Sequence, residues 1–254
     1  MSTKYSLTIG WLYPDLMSTY GDRGNILCLK KRCEWRGIEF EVLSINHETK
    51  IDELKSIDLL FGGGAQDHEQ EIVMKDLRKK GKAIKELIDE DLPALFVCGS
   101  PQLMGKYYEP AEGKRIKGLE IFDMISVHPG PNEPRLIVNI AAKVDSSLFK
   151  TEFIVGFENH GGRTYLGQKA KPFAKVIKGY GNNGEDQTEG VVYKNAIGCY
   201  FHGPLLPKNP EIADYLIKIS LERKYKKLIK LKKLNDSLEL KAKTAIAKRL
   251  TSAV

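Results

Sequence analysis

Long apolar runs are missing from this chain: none approaches the ~20 residues that a membrane-spanning helix needs. Met1-Ser-Thr-Lys-Tyr-Ser runs straight into a strand-like segment, so no signal peptide is expected. Cysteine is scarce. Cys28, Cys33, Cys98 and Cys199 form no Cys-x-x-Cys pair and show no ligand-like histidine spacing. That argues against a disulfide framework and a zinc site, and favours a reducing cytoplasm. No G-x-x-x-x-G-K-[ST] occurs, and Gly113-Lys114 lacks both the first glycine and the Ser/Thr, so nothing reads as an ATP site. Internal repeats and low-complexity segments are absent too.

The net charge of +7 is unevenly placed. Arg223 to Arg249 holds eleven Lys/Arg and two Asp/Glu, which leaves the rest of the chain at −2. The basicity therefore belongs to a helical C-terminal extension, residues 226–254, behind a main body of residues 1–225. A solvated helix face is the first reading of such a run, and an anionic partner or membrane surface the second. With 254 residues, 42% hydrophobic and 29% charged, the composition is that of a soluble globular protein, most simply one domain with an irregular second half.

Apolar periodicity organises the first half. Strands are expected at Tyr5–Tyr13, Phe40–Ile45, Ile57–Phe61 and Ala94–Val97. A helix of about three turns ends near Arg36 with Gly37 as its C-cap. A second helix covers Gln66–Glu90, in two pieces around Gly81. This order implies an α/β fold, a mainly parallel sheet with helices on both faces, whose ligands sit beyond the carboxyl ends of the strands. Further strands follow at Ile121–Val127, Arg135–Val144, Phe153–Phe157, Val191–Tyr193 and Ile197–Phe201. A helix over Asn209–Leu234 precedes another through Leu250, with an apolar stripe of Leu228, Leu231, Leu234 and Leu238.

Chemistry concentrates at strand ends. Cys98 follows a short apolar strand, precedes glycine and opens a helix-compatible segment, as a nucleophile on a strand-to-helix turn does. His202 also lies just past a strand, before Gly203-Pro204, and is the natural base. His160 is its main competitor, while His47, His68 and His128 read as surface residues. An oxyanion hole needs backbone donors: Gly99 offers one, and Gly63 or Gly64, in the Gly62-Gly63-Gly64 run, a second.

Together, strand–Gly-Gly-Gly, strand–Cys98-Gly-x-x-Gln-x-x-Gly105 and Tyr200-Phe-His-Gly-Pro204 resemble class I glutamine amidotransferases of the cobyric-acid-synthase type, with their flavodoxin-like fold. More narrowly, Tyr20-Gly-Asp-Arg-Gly-Asn25, Gly156-Phe-Glu-Asn-His-Gly-Gly-Arg-Thr164, Gly179-Tyr-Gly-Asn-Asn183 and His202-Gly-Pro-Leu-Leu-Pro-Lys-Asn209 resemble the GatD family. These are glutaminase subunits of lipid II isoglutaminyl synthase whose partner is the Mur-ligase-like MurT. The resemblance covers about residues 5–225. It implies Cys98 as nucleophile, His202 as base and Arg135 as ligand of the glutamine α-carboxylate. Without it, Arg135 reads as a strand-edge surface charge.

It also implies a heterodimer with a synthetase that amidates D-glutamate of a lipid-linked cell-wall precursor. This chain would carry no cofactor, ATP and Mg belonging to the partner, and the lipid-linked substrate would bring it near the membrane surface. Two departures stand out. Pro204 occupies the place where most class I members carry the glutamate of His-x-Glu, so a third catalytic residue is expected from the partner, with Glu158 or Asp22 the candidates in this chain. Ser100-Pro101 replaces the family's frequent Gly-Tyr, and Phe96 a glycine. A glutaminase for a cobyrinate-type acceptor, a non-catalytic scaffold subunit and a cysteine peptidase remain rival readings.

Overall fold

The computed structural model describes residues 5–251; the first four residues, and the last three of the expected extension, lie outside the described residues. The chain opens with β1 (Tyr5–Leu12), α1 (Arg23–Glu34), β2 (Ile38–Ile45), β3 (Leu59–Gly62), α2 (Asp67–Asp89), β4 (Ala94–Val97) and α3 (Gly99–Met104). Short strands follow: β5 (Tyr107–Glu109), β6 (Ile116–Lys117), β7 (Met124–Val127), β8 (Leu136–Lys143), then α4 (Ser146–Phe149), β9 (Phe153–His160), β10 (Arg163–Leu166), β11 (Ala174–Lys178) and β12 (Thr188–Glu189). The chain then returns through β13 (Val191–Tyr193) and β14 (Ala196–Cys199) to α5 (Leu205–Lys208), α6 (Pro210–Tyr225) and α7 (Ser237–Thr251).

The main sheet has the order β13-β14-β4-β3-β1-β2, parallel except at β13. Its inner strands β3, β4 and β14 are fully buried, and their side chains, with those of β1, alternate between two cores. Leu7, Ile9, Leu59, Phe61, Leu95 and Val97 face one, and Leu12, Leu60, Ala94 and Phe96 the other. The second half is more ordered than its sequence texture suggests: it folds into two four-stranded sheets, β10-β7-β5-β6 and β12-β11-β8-β9. Each contributes to a different core, Ile140 and Ile154 to the first, Tyr108 and Met124 to the second.

Two expectations about helices need correction. Gly81 does not divide α2, which runs unbroken; a Cβ there would meet Leu119 Cδ2 at 2.6 Å, so the glycine serves close packing. The helix expected over Asn209–Leu234 stops at Tyr225, where Lys226 turns left-handed at φ 51°. Tertiary contacts end it: the Tyr225 hydroxyl accepts the Ser6 N–H at 2.9 Å, and Ile229 drops into the first core. The leucine stripe dissolves accordingly, with Leu228 92% and Leu238 75% exposed.

The extension is nonetheless fastened to the body. Arg32, 3% exposed on α1, donates to Asp214 on α6 at 2.7 Å and forks onto both oxygens of Asp236. Buried Lys243 on α7 pairs with Glu211 at 2.9 Å. Among the described residues no helix is long and apolar enough to cross a membrane. Replacing Arg32 by alanine strands Asp236 and leaves Asp214 with Arg36 alone, at a largely buried joint. We expect a loss of about 3 kcal/mol, read as a lower urea midpoint at unchanged slope. A loss below ~1 kcal/mol would instead mark the pair as a surface bridge.

Candidate active site

The site lies where the sheet's carboxyl ends meet the second half of the chain. β4 stops at Val97, and Cys98 turns into α3 with φ 56° and ψ −98°. A non-glycine residue in that region is strained and must be held by its surroundings. Here its N–H donates to Cys199 O at 2.8 Å, and Gly99 lets the loop after β3 close in: a Cβ at 99 would meet Ala65 N at 2.9 Å. The departures at Ser100, Pro101 and Phe96 fit. The Ser100 hydroxyl donates to Gly63 O, Pro101 occupies the first helical turn, and Phe96 points into the second core against Phe122.

His202 follows β14 and is fixed by a two-way backbone bridge to Phe157 on β9, at 2.7 and 3.2 Å. Its ring is fully buried and edges onto Tyr20 at 5.0 Å. Asp22, equally buried, meets His202 Nδ1 through Oδ1 at 3.1 Å. Among the described residues Nε2 has no conventional hydrogen-bond partner. A Cβ on Gly64 would lie 2.9 Å from His202 Cε1 and 3.4 Å from Cys98 Cβ, so glycine at 64 leaves room for the two to sit side by side. Burial alone would suppress the charged imidazole. The negative charge at Cys98 and the bond to Asp22 outweigh it and push the His202 pKa up to about 10.

Asp22 therefore stands where a third member was expected from a partner. The Tyr20–Asn25 segment explains how: Gly24 packs against Pro204, where a Cβ would come within 2.5 Å of the ring, and Asn25 Oδ1 accepts the Leu206 N–H at 2.9 Å. The loss of His-x-Glu and the presence of Gly24 thus belong together. Glu158 does not reach His202. It accepts the Tyr180 and Gly181 N–H groups at 2.6 and 2.9 Å.

The glycine run needs one correction. Gly64 N–H is committed to Asp22 Oδ2 at 2.6 Å, so it braces the carboxylate and is not a free oxyanion donor. Gly99 opens α3, where a helix's first amides lack intrahelical acceptors. His160 is stacked on Tyr200 at 3.6 Å with Nδ1 on Gly162 O, and borders the same cleft as Cys98.

A cleft of about 480 Å³ opens on Cys98 and is also lined by Tyr20, Asp67, Tyr108, His128 and Arg135. Arg135 stands on its wall, its Nε and Nη2 held by Asn159 at 2.8 and 2.9 Å. His68 and His128, read above as surface residues, border the same cleft. Sequence reasoning missed Asp67, Tyr108 and His128, because no periodicity or motif links them to Cys98. A buried cysteine beside a charged imidazole, backed by a carboxylate and facing a cleft with an arginine, suits covalent attack on a carbonyl of a small anionic molecule.

Residues 8–210 match the CobB/CobQ-like glutamine amidotransferase domain. The chain is 42% identical over 234 residues, 92% of its length and 88% of the relative, to the lipid II isoglutaminyl synthase (glutamine-hydrolyzing) subunit GatD of Streptococcus pneumoniae. It is 42% identical over 220 residues, 87% of its length and 86% of the relative, to the subunit of the same name from Staphylococcus aureus. Among solved structures, a glutamine amidotransferase superposes with TM-score 0.57 at 14% identity, covering 84% of this chain and 98% of that one, which speaks to the fold alone. This chain belongs to the CobB/CobQ-like glutamine amidotransferase family and, within it, to the GatD family.

Proposed function

We propose that this chain is the glutaminase subunit of a lipid II isoglutaminyl synthase. The observation that carries the reading is the buried Asp22–His202 pair beside Cys98, which opens on a cleft also lined by Arg135. The GatD relatives, matched over most of their own length, support the same assignment.

In the proposed reaction Arg135 holds the α-carboxylate of L-glutamine. The Cys98 thiolate attacks the side-chain amide carbon, and Gly99 N–H receives the developing oxyanion, with Gly63 N–H the proposed second donor. The His202 imidazolium gives its proton to the departing nitrogen, releasing ammonia and leaving a γ-glutamyl thioester. Neutral His202 then takes a proton from water as the water attacks the thioester, and glutamate leaves. Asp22 keeps the imidazole oriented and favours its charged state throughout.

The ammonia would pass to a Mur-ligase-like synthetase of the MurT kind. That partner would use ATP and Mg to activate the D-glutamate carboxylate of a lipid-linked cell-wall precursor, forming D-isoglutamine. Both subunits would work in the cytoplasm, close to the membrane carrying the precursor.

The deciding experiment is ammonia release from glutamine by the chain together with its synthetase, with and without the lipid-linked acceptor. Cys98→Ala should reduce release by at least about 10⁴-fold while leaving the complex intact. Peptide cleavage without glutamine hydrolysis would overturn the reading.

Asp22→Asn probes the carboxylate. The amide oxygen can still accept the Gly64 N–H, but its nitrogen then faces His202 Nδ1, and the imidazolium loses its anionic partner. We expect kcat to fall by about 10²- to 10⁴-fold. The alkaline limb of the kcat/KM profile, set by an imidazolium pushed up to about 10, should move to lower pH, because removing a negative neighbour lowers its proton affinity. An unchanged profile would show that Asp22 does not act on His202.

A further inference from the structure

Beyond Arg135, the cleft holds a second set of charges. Asp67 opens α2, and its Oδ1 accepts the Tyr108 hydroxyl at 2.7 Å, so a neighbouring side chain fixes the carboxylate. Among the described residues Oδ2 has no hydrogen-bond partner. His128 borders the same cleft and accepts the Gly130 N–H on Nδ1 at 3.1 Å. The lone pair is therefore on Nδ1, and the proton of the neutral ring sits on Nε2. A Cβ placed on Gly161 would lie 2.5 Å from that Nε2 and 3.4 Å from Arg135 Nη1. Glycine at 161 thus leaves two donors, one from each residue, at a single spot on the wall.

The three groups feel one another. Burial first lowers the proton affinity of His128; Asp67 raises it, and Arg163 and Arg135 lower it further. Tyr108, which holds Asp67, is in turn within reach of the charge on Cys98. Two donors and one acceptor, set apart within a cleft that ends at the reactive thiol, match the head of a zwitterionic α-amino acid.

We propose that Asp67 receives the α-ammonium group of the substrate, while His128 Nε2–H joins Arg135 on its α-carboxylate. This rests on the glutaminase reading and adds the residues that select an L-amino acid over other primary amides. An α-ammonium group held by a fixed carboxylate gains a charge-assisted hydrogen bond. A substrate without the ammonium leaves Asp67 Oδ2 without a partner, Oδ1 keeping the Tyr108 hydroxyl. Tyr108 acts as a positioning residue.

The test compares glutamine with glutaramate, the same molecule without its α-ammonium group, using ammonia release by the full chain with its synthetase. Asp67→Asn should lower kcat/KM for glutamine by roughly 10- to 100-fold, mainly through KM, and leave glutaramate hydrolysis nearly unchanged. Equal losses on both substrates, or none on either, would overturn the proposal. So would a loss of discrimination in Glu69→Gln, the neighbouring carboxylate, with Asp67→Asn behaving as wild type. If Asp67→Asn does not fold, Tyr108→Phe frees the same carboxylate without deleting it. A smaller glutamine-selective loss then supports the site, and a non-selective loss or none overturns it. A wild-type complex that releases no ammonia from glutamine would instead overturn the glutaminase reading itself.

Discussion

The Asp22–His202 contact is the constraint around which the site is assembled. A fully buried carboxylate and imidazole are costly to desolvate unless each satisfies the other. Asp22 resolves this with two bonds, one to His202 and one to the Gly64 N–H. The second matters as much as the first. It ties the loop after β3 to the start of α1, and Ser100 ties the same loop to α3 through Gly63 O. Three strand ends are thereby locked to one helix start, and the strained Cys98 backbone is held from both sides.

Much of this was legible from local sequence. The run from Leu92 to Gly105 has an apolar strand, a cysteine and a glycine in an order with few structural meanings, and Cys98 lies where that order places it. His202 was legible for the same reason, since it too follows a buried strand. Asp22 was only one of two candidates, because 180 positions separate it from His202. Nothing within either segment reports that separation being closed. The clue was a pair of residues that look unrelated until packed: Gly24, which has no side chain to obstruct, and Pro204, which stands in the usual place of a glutamate. The end of α6 was illegible for a similar reason. Helical periodicity continues through Leu228 and Leu231, but the contact of Tyr225 with Ser6 takes the chain elsewhere.

The basic extension changes character once its contacts are known. From its charge it reads as a solvated appendage. Yet Asp236 shares Arg32 with Asp214, and Lys243 reaches Glu211 and Thr151. Arg32 sits on α1, the helix that Asp22 immediately precedes. The extension thus buttresses the far end of the element that positions His202, and its exposed lysines surround a neutral, structural attachment.

The source of the third carboxylate also bears on how the reaction would be divided between subunits. A missing His-x-Glu suggests a nucleophile incomplete without a second chain. With Asp22 supplied from just before α1, the imidazole has its carboxylate before any partner docks. The proposed synthetase would then not be needed to complete the proton relay. Its point of action would instead be the ammonia and the rim of the cleft, where Arg135 is exposed and Tyr20 stands 45% open beside His202. Groups at a rim are the ones a docking surface can close, and closing them would strengthen every charge contact within by excluding water. A partner acting there would control glutamine capture while leaving the buried pair untouched.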